Sequence, residues 1–195
     1  MKIIQHIEEF QPNDGIGCDA EGLRKIFFEM GFGSFICCRK NLFDPKEYII
    51  RPFDKFDFSQ ADIHILHYGG AGYPLNYFLE IPGRKFLRFH NITPSYFFEN
   101  FQAKKAFELS EMKSVFELSS LKNEIELAVC DSDFNSEFLK NYHFRNLKVM
   151  PIAKSYIPKE HKAYGGRKIG FIGRFAPNKK IEDLLFLLYF LKKIH

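Results

Sequence analysis

The chain of 195 residues has no tryptophan, few cysteines, no apolar run long enough to cross a bilayer and no block of like charge. The four cysteines are Cys18, Cys37, Cys38 and Cys130. Two are adjacent and no C-x-x-C spacing occurs. That argues against a zinc site and a disulfide framework, and it fits a reducing, cytoplasmic setting. The longest apolar run, Leu184 to Leu191, is far short of a membrane span. The first residues, Met1-Lys2-Ile3-Ile4-Gln5-His6, lack the apolar centre of a signal peptide. Lysines and arginines number 28 against 24 acidic residues and are scattered, so the net charge of +4 gives no footprint for nucleic acid, and none is expected as a partner. A weak pull toward anionic lipid or phosphorylated ligands is compatible with that charge, which leaves peripheral contact with the cytoplasmic face of a membrane open.

Hydrophobic residues make up 46% of the chain and charged residues 27%, enough apolar surface to bury a core. The 24 phenylalanines are read as core filling and not as a stacking platform. Strand and helix patterns alternate. Strands are expected at Lys2–Ile7, Ser34–Cys38, Ala61–Tyr68, up to His90, Glu124–Cys130 and Leu147–Ile152, with a short extra one at Tyr48-Ile49-Ile50. Residues 8–18 read as a loop, with Asp19 capping a helix over Ala20–Met30. Further helices are expected at Ala71–Ile81, across Pro94–Lys122 in one or two pieces, and from a cap at Ser132 or Asp133 to Tyr142. This alternation predicts an α/β protein with a doubly wound, Rossmann-like parallel sheet. Residues 1–152 form its first domain and 153–166 a linker. Residues 167–195 form one strand (Lys168–Ile172) and one helix (Lys179–Lys193) of a truncated second domain, since a single strand and helix cannot bury a core alone.

Chemistry concentrates at Phe89-His90-Asn91-Ile92-Thr93-Pro94, where a strand delivers a histidine and an asparagine. Polar groups at the carboxyl ends of strands are where open α/β sheets bind ligands. Thr93-Pro94 reads as an N-cap and first helical residue, which would put a positive helix end near His90. A satisfied strand-end histidine is the plain alternative. His64 and His67, three apart on a strand, point to opposite faces and are not a metal pair. His67 either lines the cleft or packs in the core. Gly15-Ile16-Gly17-Cys18-Asp19-Ala20 matches G-x-G-x-x-A, but some seven residues separate it from the first strand and no acid ends the second, where Arg39-Lys40 stands. A nicotinamide-dependent oxidoreductase is therefore the weaker reading. The glycine loop still suits a phosphate or sugar, or a plain turn. Asp131-Ser132-Asp133 reads as helix capping, so no metal and no cofactor are expected. Arg174 and Lys179 flank the start of the last helix and form an anion site, or are two solvated charges. Aromatic residues between Phe97 and Leu121, mixed with Lys104, Lys105 and Lys113, read as core in preference to a membrane-touching face.

Several of these stretches, in order and spacing, resemble the retaining GT-B glycosyltransferases of family 4. Asn13-Asp14-Gly15-Ile16-Gly17 is similar to that family's glycine loop. Ile63 to Gly69 is similar to its third strand, Arg88 to Pro94 to its "HNITP" segment, and Asp131 to Leu139 to its "NSxFN" stretch. Val149-Met150-Pro151-Ile152 resembles its "VLPI" strand, and Phe171 to Leu184 its "FVGRxxPNKxxEDL" segment. The resemblance implies two Rossmann-like domains and transfer, with retention and usually without metal, from a nucleotide sugar to a glycan or lipid-linked acceptor. It implies His90 near the reacting sugar, and Gly15, Gly17, Arg174 and Lys179 toward the donor phosphates. His67, Asn91 and Thr93 fall toward the acceptor. The family's paired glutamates belong beyond the segment seen here. The chain alone is therefore expected to be inactive, with the second domain supplied by a continuation or a separate chain. A non-catalytic binding subunit or gene remnant is the alternative.

Overall fold

The computed structural model describes residues 1–11, 14–41, 50–52, 57–153 and 170–194. Among these residues seven strands form one sheet: β1 (Lys2–Phe10), β2 (Gly33–Asn41), β3 (Ile50–Pro52), β4 (Ile63–Tyr68), β5 (Arg84–Phe89), β6 (Leu127–Cys130) and β7 (Leu147–Val149). Their spatial order is β3-β2-β1-β4-β5-β6-β7 and every pairing is parallel. The chain winds outward from β1, returns to its other side at β4 and winds on. The order therefore reverses between β1 and β4, which opens a crevice at their carboxyl ends. This is the Rossmann-like α/β sheet expected from the alternating pattern.

Helices α1 (Gly15–Glu29), α2 (Leu75–Glu80), α3 (Lys104–Leu121), α4 (Asp133–Asn141) and α5 (Ile181–Ile194) supply the other elements. Ile4, Leu66, Phe78, Leu87, Phe89, Leu118 and Leu139 belong to the larger buried cluster, whereas Ile7, Phe10, Ala20, Ile36 and Cys38 form a smaller one that includes α1. Strand β1 is buried along most of its length, as a central parallel strand must be, yet it carries Gln5 and His6 fully buried. Two polar side chains in such a strand require partners, and both find them.

Several boundaries differ from the sequence reading. The expected loop at 8–18 is shorter: β1 runs on to Phe10 and α1 begins at Gly15, capped by Asp14, whose Oδ1 accepts from the Gly17 amide at 2.6 Å, and residues 12–13 lie outside the described residues. Gly17 permits this early start. A Cβ there would lie 1.9 Å from the Gln11 carbonyl oxygen, so only glycine lets the first turn pack against the strand end. Asp19 is consequently an interior helical residue and not a cap. Ser132 does cap α4, accepting from the Asn135 amide. The extra strand forms at Ile50–Pro52; residues 48–49 lie outside the described residues. The linker from 154 and the first two residues of the expected strand Lys168–Ile172 also lie outside them. Residues 170–172 pair with no strand among the described residues, and a parallel strand without a neighbour has nothing to bond to. The last helix forms as α5, after a 3₁₀ turn at Pro177–Lys179.

Candidate functional site

At the carboxyl edge of the sheet, α1 and β5 bring together two residues far apart in sequence. Asp19 is fully buried in α1, and Arg88, the penultimate residue of β5, is 1% exposed. Arg88 Nε donates to Asp19 Oδ2 at 2.6 Å and its Nη2 to Oδ1 at 3.2 Å, a two-point pairing. The guanidinium also donates to the carbonyls of Met150 and Pro151, and Asp19 Oδ1 accepts from the Ala153 amide at 2.7 Å. Gly22 adds a close approach: a Cβ there would lie 2.4 Å from the Ala153 oxygen. The segment after β7 is thus fastened to α1 and β5 through one ion pair.

Beside it lies a pair of stacked imidazoles. The rings of His67 and His90 are 5.2 Å apart at 14°, with His67 Nδ1 3.0 Å from His90 Nε2. Their tautomers follow from the ends of the row. Gln5 Nε2 donates to the Ala20 carbonyl at 2.9 Å, so Gln5 Oε1 is the atom facing His67 Nε2 at 2.8 Å, and His67 must donate there. His67 Nδ1 is then an acceptor, and His90 Nε2 carries the proton it receives. That leaves His90 Nδ1 as a lone pair, 3.9 Å from Asp131 Oδ2. Burial drives the pKa of His67 well below the usual imidazole value, helped by His90 and Arg88. Burial lowers that of His90 to about 4, Asp19 and Asp131 pulling upward and Arg88 downward. At neutral pH His90 is therefore an uncharged group whose Nδ1 accepts hydrogen bonds.

A second row lies on the opposite face of β1 and β4, as the odd spacing of His64 and His67 requires. Tyr73 Oη is 2.6 Å from His6 Nδ1, His6 Nε2 is 2.9 Å from His64 Nδ1, and His64 Nε2 is 2.9 Å from the Pro82 carbonyl. The terminal carbonyl can only accept, so Tyr73 donates to His6 and His6 to His64. Both imidazoles have depressed pKa values, His64 to about 4, chiefly through burial.

Asp19, His67 and His90 are also the described side chains placed to share a metal ion, with Asp19 Oδ2 3.8 Å from His67 Nδ1 and 3.6 Å from His90 Nε2. The fit is poor. Both Asp19 oxygens already accept from Arg88, and a divalent ion would sit against a buried guanidinium, with no second carboxylate joining the three as a ligand among the described residues. The donor set is satisfied as a hydrogen-bonded row.

Asn91 follows His90 with φ +86°, a left-handed conformation that asparagine tolerates, and its Oδ1 accepts from the Ile92 amide. Thr93 and Pro94 do not start a long helix. Pro94 precedes a four-residue 3₁₀ turn, Ser95–Phe98, without a side-chain cap; the Ser95 amide donates instead to Glu111 of α3. The positive helix end expected beside His90 is therefore absent from this described segment. Gly15 and Gly17 lie in the first turn of α1, and Gly17's amide is engaged by Asp14. The nearby cleft of about 310 Å³ is lined by Glu8, Glu9, Asp14, His67, Gly69 and Tyr73 among others, so its charge is negative. Arg174 and Lys179 are exposed, and neither bonds to the histidine cluster among the described residues. The adjacent Lys180 places its ammonium 5.8 Å from the Phe97 ring centre, which brings their segment to the edge of the first sheet. Sequence reasoning missed Asp19, Arg88 and Gln5 as parts of the site. The available signal was polarity inside buried elements: Gln5 amid Ile3, Ile4 and Ile7, and Asp19 beside Ala20 and Leu23.

No family model and no curated protein matches the sequence. Solved structures match its fold. One is an alpha-glucosyltransferase in complex with UDP and a 13-mer DNA containing an HMU base, 13% identical with a TM-score of 0.52 over 78% of this chain. Another is an alpha-glucosyltransferase in complex with UDP-glucose and DNA containing an abasic site, 13% identical with a TM-score of 0.51 over 76% of this chain. The chain spans 42% of the length of each. At this identity the likeness establishes the fold. No helix among the described residues is long and apolar enough to cross a membrane.

Proposed function

We propose that the chain is the acceptor-side part of a glycosyltransferase that moves a sugar from a nucleotide donor to a hydroxyl acceptor with retention. The observation that carries this reading is the pair His67–His90 at the carboxyl edge of a sheet whose fold is shared with nucleotide-sugar-dependent glucosyltransferases. The sequence resemblance points the same way. In this reading His90, neutral and with Nδ1 directed toward Asp131, accepts a hydrogen bond from a hydroxyl of the reacting sugar. Arg174 and Lys179 hold the donor diphosphate and stabilise the charge that develops on the departing nucleotide, an effect that can contribute several kcal/mol to rate. Gly15 and Gly17 bring the α1 backbone toward the donor. His67, Asn91 and Thr93 stand on the acceptor side. No metal is required for any of these roles.

A glycan or lipid-linked acceptor fits the site better than DNA, although both related structures hold DNA. Glu8, Glu9 and Asp14 in the cleft would repel a phosphodiester backbone. The oxidoreductase reading gains something from the strand order and from β1 reaching Phe10, but β2 ends in Arg39-Lys40-Asn41 with no acid for a ribose, and Arg39 is paired with Glu8 at 3.6 Å.

The test begins with the intact mass of the protein isolated from its own cells, with whatever partner accompanies it. That preparation is then assayed for nucleoside diphosphate release from UDP-, GDP-, ADP- and dTDP-sugars in the presence of a chelator. Consumption of at least one donor, reduced by a factor of about 100 or more in His90→Ala, supports the proposal. If no donor is consumed, or if NADPH binds and nucleotide sugars do not, the proposal fails; persistent inactivity of a long-lived complex favours the non-catalytic alternative.

A further inference from the structure

A cavity of about 240 Å³ opens between the segment after His90 and helices α3 and α4. It begins at Asn91, one residue past His90, and its far wall begins at Phe134, three residues past Asp131. The expectation that the aromatic residues between Phe97 and Leu121 fill the core holds for Phe98, which is 8% exposed, and fails for Phe101 and Phe116, at 52% and 74%. Tyr96 and Phe134 flank that stretch. Tyr96 and Phe134, at 63% and 71% exposure, stand in the cavity wall, with the Phe97 ring tilted against one side of Tyr96 at 4.3 Å between centres. Large rings are normally buried, so two exposed ones in the lining of a single concave site are informative.

The polar groups in the cavity are few and complementary. Asn91 Oδ1 is used by the Ile92 amide, leaving its Nδ2 as a donor. Glu111 Oε2 accepts from the Ser95 amide, leaving Oε1 as an acceptor. One fixed donor and one fixed acceptor between aromatic walls match adjacent hydroxyls on a ring whose C–H faces are apolar. The volume suits a single ring. The carboxylate of Glu111, with Asp131 and Asp133 at the head of α4, disfavours a polyanion.

We propose that this cavity is a subsite for one uncharged sugar ring of the acceptor, stacked on Tyr96 and Phe134 and held by Asn91 and Glu111. The proposal rests on the glycosyltransferase reading for the word acceptor only; the sugar site itself can be present or absent whether or not transfer occurs. Asn91, which follows His90 in the chain, is the cavity residue that links it to the histidine pair.

The absence of tryptophan makes the test direct. Phe134→Trp introduces the sole indole at an exposed position, where folding is not at risk. Its emission is followed while the full chain is titrated with the methyl glycosides of glucose, galactose, mannose and N-acetylglucosamine. In parallel it is titrated with a single-stranded oligonucleotide. A saturable change with at least one glycoside is expected. Adding Tyr96→Ala should weaken that response at least about tenfold, the factor that ~1.4 kcal/mol of lost stacking represents. Glu111→Gln should shift the preference among glycosides that differ in one hydroxyl. No response to any glycoside, a response untouched by Tyr96→Ala, or a response to the oligonucleotide alone would overturn the proposal. A failed glycoside titration together with measurable donor consumption would refute the subsite while leaving the transferase reading intact.

Discussion

Replacing Asp19 by asparagine removes the charge of a buried ion pair while nearly keeping its shape. Asp19 is inaccessible and Arg88 is 1% exposed, so the guanidinium cannot recover water when its partner is neutralised. Breaking a buried pair from one side costs about 3–5 kcal/mol. Here the lower end applies, because Arg88 keeps the Met150 and Pro151 carbonyls. The asparagine must also turn either its amide toward the guanidinium or its carbonyl away from the Ala153 amide, so no rotamer satisfies both. With a urea dependence of about 2 kcal/mol per molar, a loss of ~3 kcal/mol moves the unfolding midpoint down by about 1.5 M. The companion variant is Asp19→Leu with Arg88→Met, which leaves no unpaired charge and should cost less than the single change. Urea unfolding of the wild type, the single variant and the double variant is the assay. A single-variant loss under about 1 kcal/mol, or a double variant worse than the single one, would refute the view that charge pairing holds this corner together.

Other outcomes follow from the same structure. His64 and His90 have pKa values near 4 in the folded chain against about 6.5 unfolded, so the unfolded chain binds more protons in that window. Their stabilising effect is complete above about pH 6.5 and is lost toward pH 4, each steepening the decline by ~1.4 kcal/mol per pH unit. An unfolding midpoint that stays level from pH 7 to pH 5 would contradict their burial as neutral rings. Gly22→Ala ought to gain up to about 1 kcal/mol as a helix-interior change. The Ala153 oxygen, 2.4 Å from the new methyl group, should reverse the sign to a loss of about 1–3 kcal/mol, measurable by thermal unfolding. Ser132→Ala should cost about 1 kcal/mol through the lost cap of α4, and Ser132→Asp should restore most of it.

The order of strands and helices was legible because parallel strands leave largely apolar runs between turn signals, as at Leu127–Cys130 and, but for Arg88, at Phe86–Phe89. His90 was legible for a related reason: it ends such a run. What could not be read were the partners. Asp19 sits four residues into a stretch rich in glycine and polar residues, where an acid ordinarily caps a helix. Only the packing of Gly17 on the Gln11 carbonyl moves the helix start back and turns Asp19 inward. Its partner Arg88 is 69 residues away, one position before the strand's last residue, and nothing local distinguishes it from a solvated arginine. The exposed ring of Phe134 was hidden by the opposite effect: among 24 phenylalanines, composition alone favours the core for each.

The two imidazole rows have a consequence for how β1 and β4 find each other during folding. In the native alignment Gln5 lies opposite Ile65 and His6 opposite Leu66. The polar pairings are both diagonal, and they lean in opposite senses: Gln5 reaches two residues forward to His67, whereas His6 reaches two residues back to His64. A slip of one residue would put the members of each polar pair on opposite faces of the sheet and is excluded on that ground. A slip of two residues would keep each pair on one face and would otherwise be the dangerous error. Moved one way, it brings Gln5 opposite His67 but carries His64 out of reach of His6; moved the other way, it does the reverse. Either misalignment strands two buried polar side chains, so the pair of opposed diagonals acts as a two-way stop that fixes a central strand pairing to a single alignment.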